Sequence, residues 1–218
     1  MYKVNLSEGI AYHSQKNNEF IPFASCGPTS AIMSLKAAKI PFYAPVVMQP
    51  EDYLTANLTD KEAWELFEKD FPGAVKHRLW PNNISHMLQW GINKMVGRKV
   101  DVFKKSGSLR EMIWHLVNRR PLIVSGRFTK SGHFVSVVGF ESYQPIGSIR
   151  RISDVKLADV EYIIVDDPYG KYPYTDKKPS GNDTHFTLQE FNGLTNASGI
   201  ENKKWLHIFS NFDWRMEL

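Results

Sequence analysis

Polar and apolar positions change their spacing about halfway along the chain. Residues 26 to 118 read as helical. Ser25-Cys26-Gly27-Pro28-Thr29-Ser30 is a turn leading into Ala31–Ala38, a run of good helix formers, with Pro28 where a first helical turn tolerates proline. Thr59–Phe71 has Thr59 and Glu62 at capping-box spacing and places Trp64, Phe67 and Phe71 on one face. Asn83–Val96 and Ser108–Asn118 are further amphipathic stretches, and Ser108 and Glu111 repeat the capping pattern.

Beyond residue 120 the period shortens to that of strands. Pro121–Ser125, His133–Phe140, Tyr162–Val165 and Trp205–Phe209 are short, apolar, β-branched runs bounded by Gly, Pro, Asp and Asn. Helices followed by strands predict an α+β fold, with N-terminal helices packed on an antiparallel β-sheet. Residues 141–161 and 169–200 read as long polar connections, and loops of that length often carry function. No repeat, low-complexity tract or linker divides the chain, so residues 1–218 are expected to form a single domain.

Composition narrows the classes. With 218 residues, 42% apolar and 23% charged, the chain is that of a globular protein with a substantial core, neither disordered nor fibrous. Its single cysteine excludes an intramolecular disulfide and a Cys-rich zinc site. The net charge of +4 suits an anionic partner, but at this size it is most simply a solubility feature. No run of about 18 apolar residues exists to span a membrane. Met1–Ile10 lacks the apolar stretch of a signal peptide, so a cytoplasmic product is expected, acting on a cell wall only after release. Metal motifs, phosphate loops and dinucleotide fingerprints are absent, so no cofactor is expected. Asp166, Asp167, Asp176 and Asp183 read as a solvated acidic region rather than a cation site. Basic and aromatic residues alternate at Trp80, Trp90, Lys94, Arg98 and Lys99, and at Trp114, Arg119 and Arg120, but at helical spacing. That pattern is core beside a solvated face, and nucleic acid is not an expected partner.

The lone cysteine stands where chemistry is easiest. Cys26 opens a predicted helix, where unpaired N–H groups and the helix dipole favour a thiolate. A nucleophilic thiolate needs a base, and seven histidines are available. His86 and His115 lie within helices, His77 sits beside Arg78 in a polar turn, and His207 reads as half-buried packing inside a strand. His133 differs, because it opens a strand directly after Ser131-Gly132, at a sheet margin where a ring can face a cleft. Asp166-Asp167-Pro168 closes another strand, and a carboxylate there could orient the ring. Side chains alternate along a strand, so only one of Asp166 and Asp167 can face His133. Cysteine, histidine and carboxylate together are the arrangement for acyl transfer through a thioester.

Ser14-Gln15, Asn17-Asn18, Cys26-Gly27-Pro28-Thr29-Ser30, Phe128-Thr129-Lys130-Ser131-Gly132-His133, Asp167-Pro168-Tyr169-Gly170 and Trp205-Leu206-His207 occur in an order that resembles a known family. It is the papain-like peptidase C-thirty-nine-like group, relatives of the peptidases that trim double-glycine leaders from bacteriocins. The likeness is strongest to the stand-alone bacterial and phage branch and covers about residues 12–38 and 120–212. The resemblance implies a papain-like fold with Cys26 as nucleophile, His133 as general base and then acid, Asp167 as the residue that orients it, and Gln15 as oxyanion donor with the Cys26 N–H. Gln15 lies eleven residues before Cys26, so residues 16–25 must fold back for it to serve.

The expected function is a monomeric cysteine peptidase or amidase acting on peptide or peptidoglycan, first of all a phage-type endolysin that cleaves cell-wall peptides. Leader-peptide or other protein processing, acyl transfer by the same thioester route, and a non-catalytic binding protein on the same fold are the alternatives.

Overall fold

A computed structural model describes residues 1–70, 72, 81–173, 180–196 and 203–211. In chain order its elements are β1 (Tyr2–Asn5), α1 (Cys26–Ala37), α2 (Pro50–Thr59), α3 (Lys61–Asp70), α4 (Ser85–Val96), β2 (Asp101–Gly107), α5 (Leu109–Val117), β3 (Leu122–Gly126), β4 (His133–Ser142), β5 (Val160–Asp166), β6 (Thr184–Thr187), α6 (Leu188–Thr195) and β7 (Lys204–Phe209). Short 3-10 turns fill the long connections, one of them at Gln15–Asn17.

The strands form one sheet in the order β2-β7-β3-β4-β5-β6, with β1 added to β4. Every pairing is antiparallel. Period-two alternation sorts the side chains to two faces. Ile123, Phe134 and Phe209 pack with Ile32 and Leu35 of α1, Leu54 and Leu58 of α2, and Leu88 and Ile92 of α4. Leu122, Val124, Val135, Val137, Leu206 and Ile208 pack with Met112, Ile113 and Leu116 of α5. The sheet therefore lies between two layers, and the α+β expectation holds.

Several elements depart from the pattern read in the sequence. Helix α2 was not anticipated. Its last residue, Thr59, sends its hydroxyl back to the Thr55 carbonyl, and Asp60 caps α3 by accepting from the Ala63 N–H at 2.8 Å. Ser108 does cap α5, accepting from Glu111 N at 3.2 Å, but the Glu111 carboxylate pairs with Lys104 at 2.7 Å. Strand β2 lies between helices, so helical and strand halves are not cleanly separated. Strands β1 and β6 are only four residues each. Thr187 and Glu190 form a full capping box that starts α6 inside what reads as a polar loop. Phe71, His77, Trp80 and Asp176 lie outside the described residues.

Candidate active site

Cys26 is the first residue of α1, and that helix is fastened to β4 by two serines. Ser30 donates to the Phe134 carbonyl at 3.1 Å, and the Ser34 and Ser136 hydroxyls meet at 2.7 Å. The start of the Cys26 helix is thus held against the start of the strand that His133 opens. Before His133 the chain turns tightly. Gly132 has φ +86°, a region open to glycine at little cost, and Thr129 accepts the Gly132 N–H on its carbonyl while its hydroxyl donates to the Gly132 carbonyl.

His133 is buried, and its Nε2 lies 2.7 Å from Asp167 Oδ1. The ring nitrogen that remains, Nδ1, is the one left for Cys26. Burial is the largest influence on the imidazole and lowers its pKa. Hydrogen bonds to Asp167 and Cys26, with the attraction of both groups for the cation, overcome burial and carry it from 6.5 to about 9.

Asp167 is itself held on every side. The same Oδ1 accepts from Tyr169 N at 2.9 Å, and its carbonyl accepts from the Tyr12 hydroxyl at 2.7 Å. Its N–H donates to the Gly181 carbonyl at 3.0 Å. A Cβ at position 181 would lie 2.2 Å from the Asp167 carbonyl oxygen, so this crossing requires glycine. Asp166 serves elsewhere. It accepts from Asp183 N at 2.9 Å, and desolvation, reinforced by the neighbouring Asp183 charge, raises its pKa from 3.8 to about 6 against opposing hydrogen bonds. The alternation that allows one aspartate to face His133 resolves to Asp167.

Residues 16–25 do fold back. Asn18 accepts from the N–H groups of Phe20 and Ile21 at 3.1 and 2.9 Å and donates to Thr55 Oγ1 at 3.2 Å. Glu19 N donates to Asp52 Oδ1 at 3.1 Å, so α2 is the surface on which the loop is built. Gln15 is buried at the base of this loop. Its backbone N–H reaches the Pro168 carbonyl at 2.9 Å, and its Nε2 donates to the Pro22 carbonyl at 2.9 Å. Among the described residues its buried Oε1 has no hydrogen-bond partner.

Gln15, Cys26 and His133 line one open cleft of about 500 Å³, with Phe23, Phe128, Thr129–Gly132 and Tyr169 completing its wall. Phe128 and Tyr169 set ring edges against His133, with centroids 6.3 and 6.2 Å away. The four residues expected in the site are therefore brought together. Tyr12, Asn18 and Phe23 were missed. Only Asn18 had a visible signal, as part of the Asn17-Asn18 pair after Gln15.

His207 corrects its sequence reading. It is fully buried, with Nδ1 2.7 Å from Asp101 Oδ2, a buried hydrogen-bonded pair rather than half-buried packing. His13 pairs with Glu51, His115 lies near Glu111 and His185 near Glu141. Among the described residues no group of three His, Cys, Asp or Glu converges as a metal site, and no helix is long and apolar enough to cross a membrane.

An antiparallel sheet flanked by helices, with the N-terminus of α1 facing a cleft at the sheet margin, defines an α+β papain-like cysteine peptidase fold. The profile of the Peptidase_C39 like family matches residues 7–191, and the chain belongs to that family of cysteine peptidases. No curated protein and no solved structure matches the chain.

Proposed function

We propose that the chain, acting as one catalytic unit, hydrolyses peptide amide bonds with Cys26 as nucleophile. The observation that carries this reading is His133, bound at Nε2 to Asp167 and electrostatically coupled to Cys26 in the same cleft. The Cys26 thiolate attacks the scissile carbonyl while His133 holds the proton. The carbonyl oxygen gains negative charge and accepts hydrogen bonds from the Cys26 N–H and from the Gln15 Nε2 hydrogen not used by Pro22. His133 then protonates the departing amine, the C–N bond breaks and a thioester remains. Water, deprotonated by His133, attacks that thioester and releases the acid and the thiolate. Asp167 keeps the ring in the required orientation throughout.

For the substrate we propose peptides of the bacterial cell wall, cleaved in the manner of a phage-type lysin. The +4 net charge, facing an anionic wall, supports this reading. Purified peptidoglycan incubated with the protein should yield new amino termini by mass spectrometry, and Cys26→Ala should abolish them. Cleavage of unrelated peptides without action on peptidoglycan would favour a processing peptidase. Full turnover by Cys26→Ala would remove the mechanism.

A further inference from the structure

The mouth of the cleft has a distinct chemical character. Phe23 stands 78% exposed at its lip, and Phe20, three residues earlier, is half exposed. Such a ring in water gains from covering, and a ligand's side chain is what a cleft offers. Lys130 sits in the turn that leads to His133 and lines the same cleft. Lys16 follows Gln15 and lies over the Tyr169 ring, 4.6 Å from its centroid. Tyr169 lines the cleft, and Lys16, stacked on it, lines a second hollow of about 430 Å³ with Tyr12, Ser14, Asn17 and Ser180. Among the described residues no carboxylate lines either space, and neither Lys16 nor Lys130 has an ion pair there. Asp167, behind His133, is fully buried and engaged with His133 and Tyr169.

We infer that this cleft selects acidic peptides, with a large apolar side chain against Phe23 and a carboxylate near the scissile bond facing Lys130 or Lys16. The inference deepens the peptidase reading and rests on it. A partly exposed pair of opposite charges is worth about fivefold in affinity, and salt weakens it. Acidic segments of proteins and the free carboxylates of wall peptides share this chemistry.

The test uses the whole chain and two substrates: a peptide library made from a denatured proteome, and purified peptidoglycan. Cleavage sites read by mass spectrometry are expected to show Glu or Asp enriched within two or three positions of the cut. Matched Glu and Gln peptides built on an enriched site should differ about fivefold in kcat/KM at low salt, and less at high salt. One of the two separate variants Lys130→Glu and Lys16→Glu should reverse that ratio and favour the matched Lys peptide, naming the lysine that faces the carboxylate, while iodoacetamide labelling of Cys26 reports an intact site; an unchanged ratio in both overturns the charge inference. Acidic enrichment in the library alone names protein segments as the source, and acidic fragments from peptidoglycan alone name the wall. Equal cleavage of Glu and Gln peptides in the unaltered protein overturns the charge inference and leaves the peptidase reading standing. Cleavage of neither substrate by protein whose Cys26 still labels overturns the peptidase reading and the inference with it.

Discussion

Ser34 of α1 and Ser136 of β4 bring their hydroxyls to 2.7 Å in the buried seam between the helix that begins with Cys26 and the strand that begins with His133. Two residues far apart in sequence owe their proximity partly to this pair. Removing one hydroxyl leaves the other buried without that partner, so Ser34→Ala and Ser136→Ala should each cost about 1–3 kcal/mol of stability. The double variant should lose less than the sum, with a coupling of at least about 0.5 kcal/mol. Chemical denaturation of the four proteins in the cycle measures it, and strict additivity would show that the two hydroxyls do not interact.

The raised pKa of His133 gives the second expectation. Its folded value of about 9 exceeds the ordinary 6.5. The stability contributed by its protonated form is therefore complete below about 6.5 and disappears as pH climbs through about 9. Activity should follow the same ring, with an alkaline limb in kcat/KM near pH 9, where His133 no longer holds the proton needed by the leaving amine. Asp167→Asn retains a carbonyl oxygen to accept from Nε2 but removes the charge. It should keep activity within about tenfold while moving the limb to lower pH, and Asp167→Ala should lose about 10²-fold or more. NMR titration of His133 checks the assignment directly, since its midpoint should fall in Cys26→Ala and in Asp167→Asn.

Asp166 should behave in the opposite way to its neighbour. Its folded pKa of about 6 lies above the ordinary 3.8, so the folded state binds the proton more tightly than the unfolded chain. Stability from this group falls as pH rises through that interval, and above about 6 the buried charge is a cost. Asn at this position can still accept the Asp183 N–H. Asp166→Asn should therefore gain on the order of 1–2 kcal/mol at pH 8 and nothing at pH 4, with kcat nearly unchanged. A large loss of turnover would transfer the orienting role from Asp167 to Asp166.

What could be read from the chain itself divides along physical lines. Cys26, His133 and Asp167 were legible because each stands at the end of an element, where local signals are strongest: a proline in the first turn, a Ser-Gly before a β-branched run, an Asp-Pro after one. Strand alternation restricts the site to one of Asp166 and Asp167 without naming it, and the choice of Asp167 came from the family resemblance. The short strands β1 and β6 were not legible, since four residues hold too little periodicity and are stabilised by pairing with β4 and β5. Helix α2 was hidden for another reason. Its inward face carries Glu51, Asp52 and Thr55, all buried because they hold His13, Glu19 and Asn18, so its hydrophobic pattern is interrupted by polar residues that are satisfied only in the fold. The His207 pairing with Asp101 joins residues 106 apart and leaves no local trace.

In the proposed mechanism Gln15 serves the oxyanion with its amide held by the Pro22 carbonyl, and Pro22 follows directly on the turn that Asn18 closes. Asn18 touches no reacting atom in this scheme. It is a positioning residue, tied to Thr55 of α2. Gln15→Ala should cost about 10²-fold in kcat, the usual loss for one oxyanion donor. Asn18→Ala should cost less, about tenfold, since Gln15 remains but samples other positions. It should act on kcat more than on KM, and the rate of Cys26 alkylation should stay close to that of the unaltered protein, because the thiol and His133 are untouched. Asn18→Asp separates the two halves of the role. The acid still accepts from Phe20 and Ile21 but cannot donate to Thr55 above its own pKa, so it should recover part of the lost kcat. Equal losses of kcat and alkylation rate in Asn18→Ala would mean that the loop supports the whole cleft rather than Gln15.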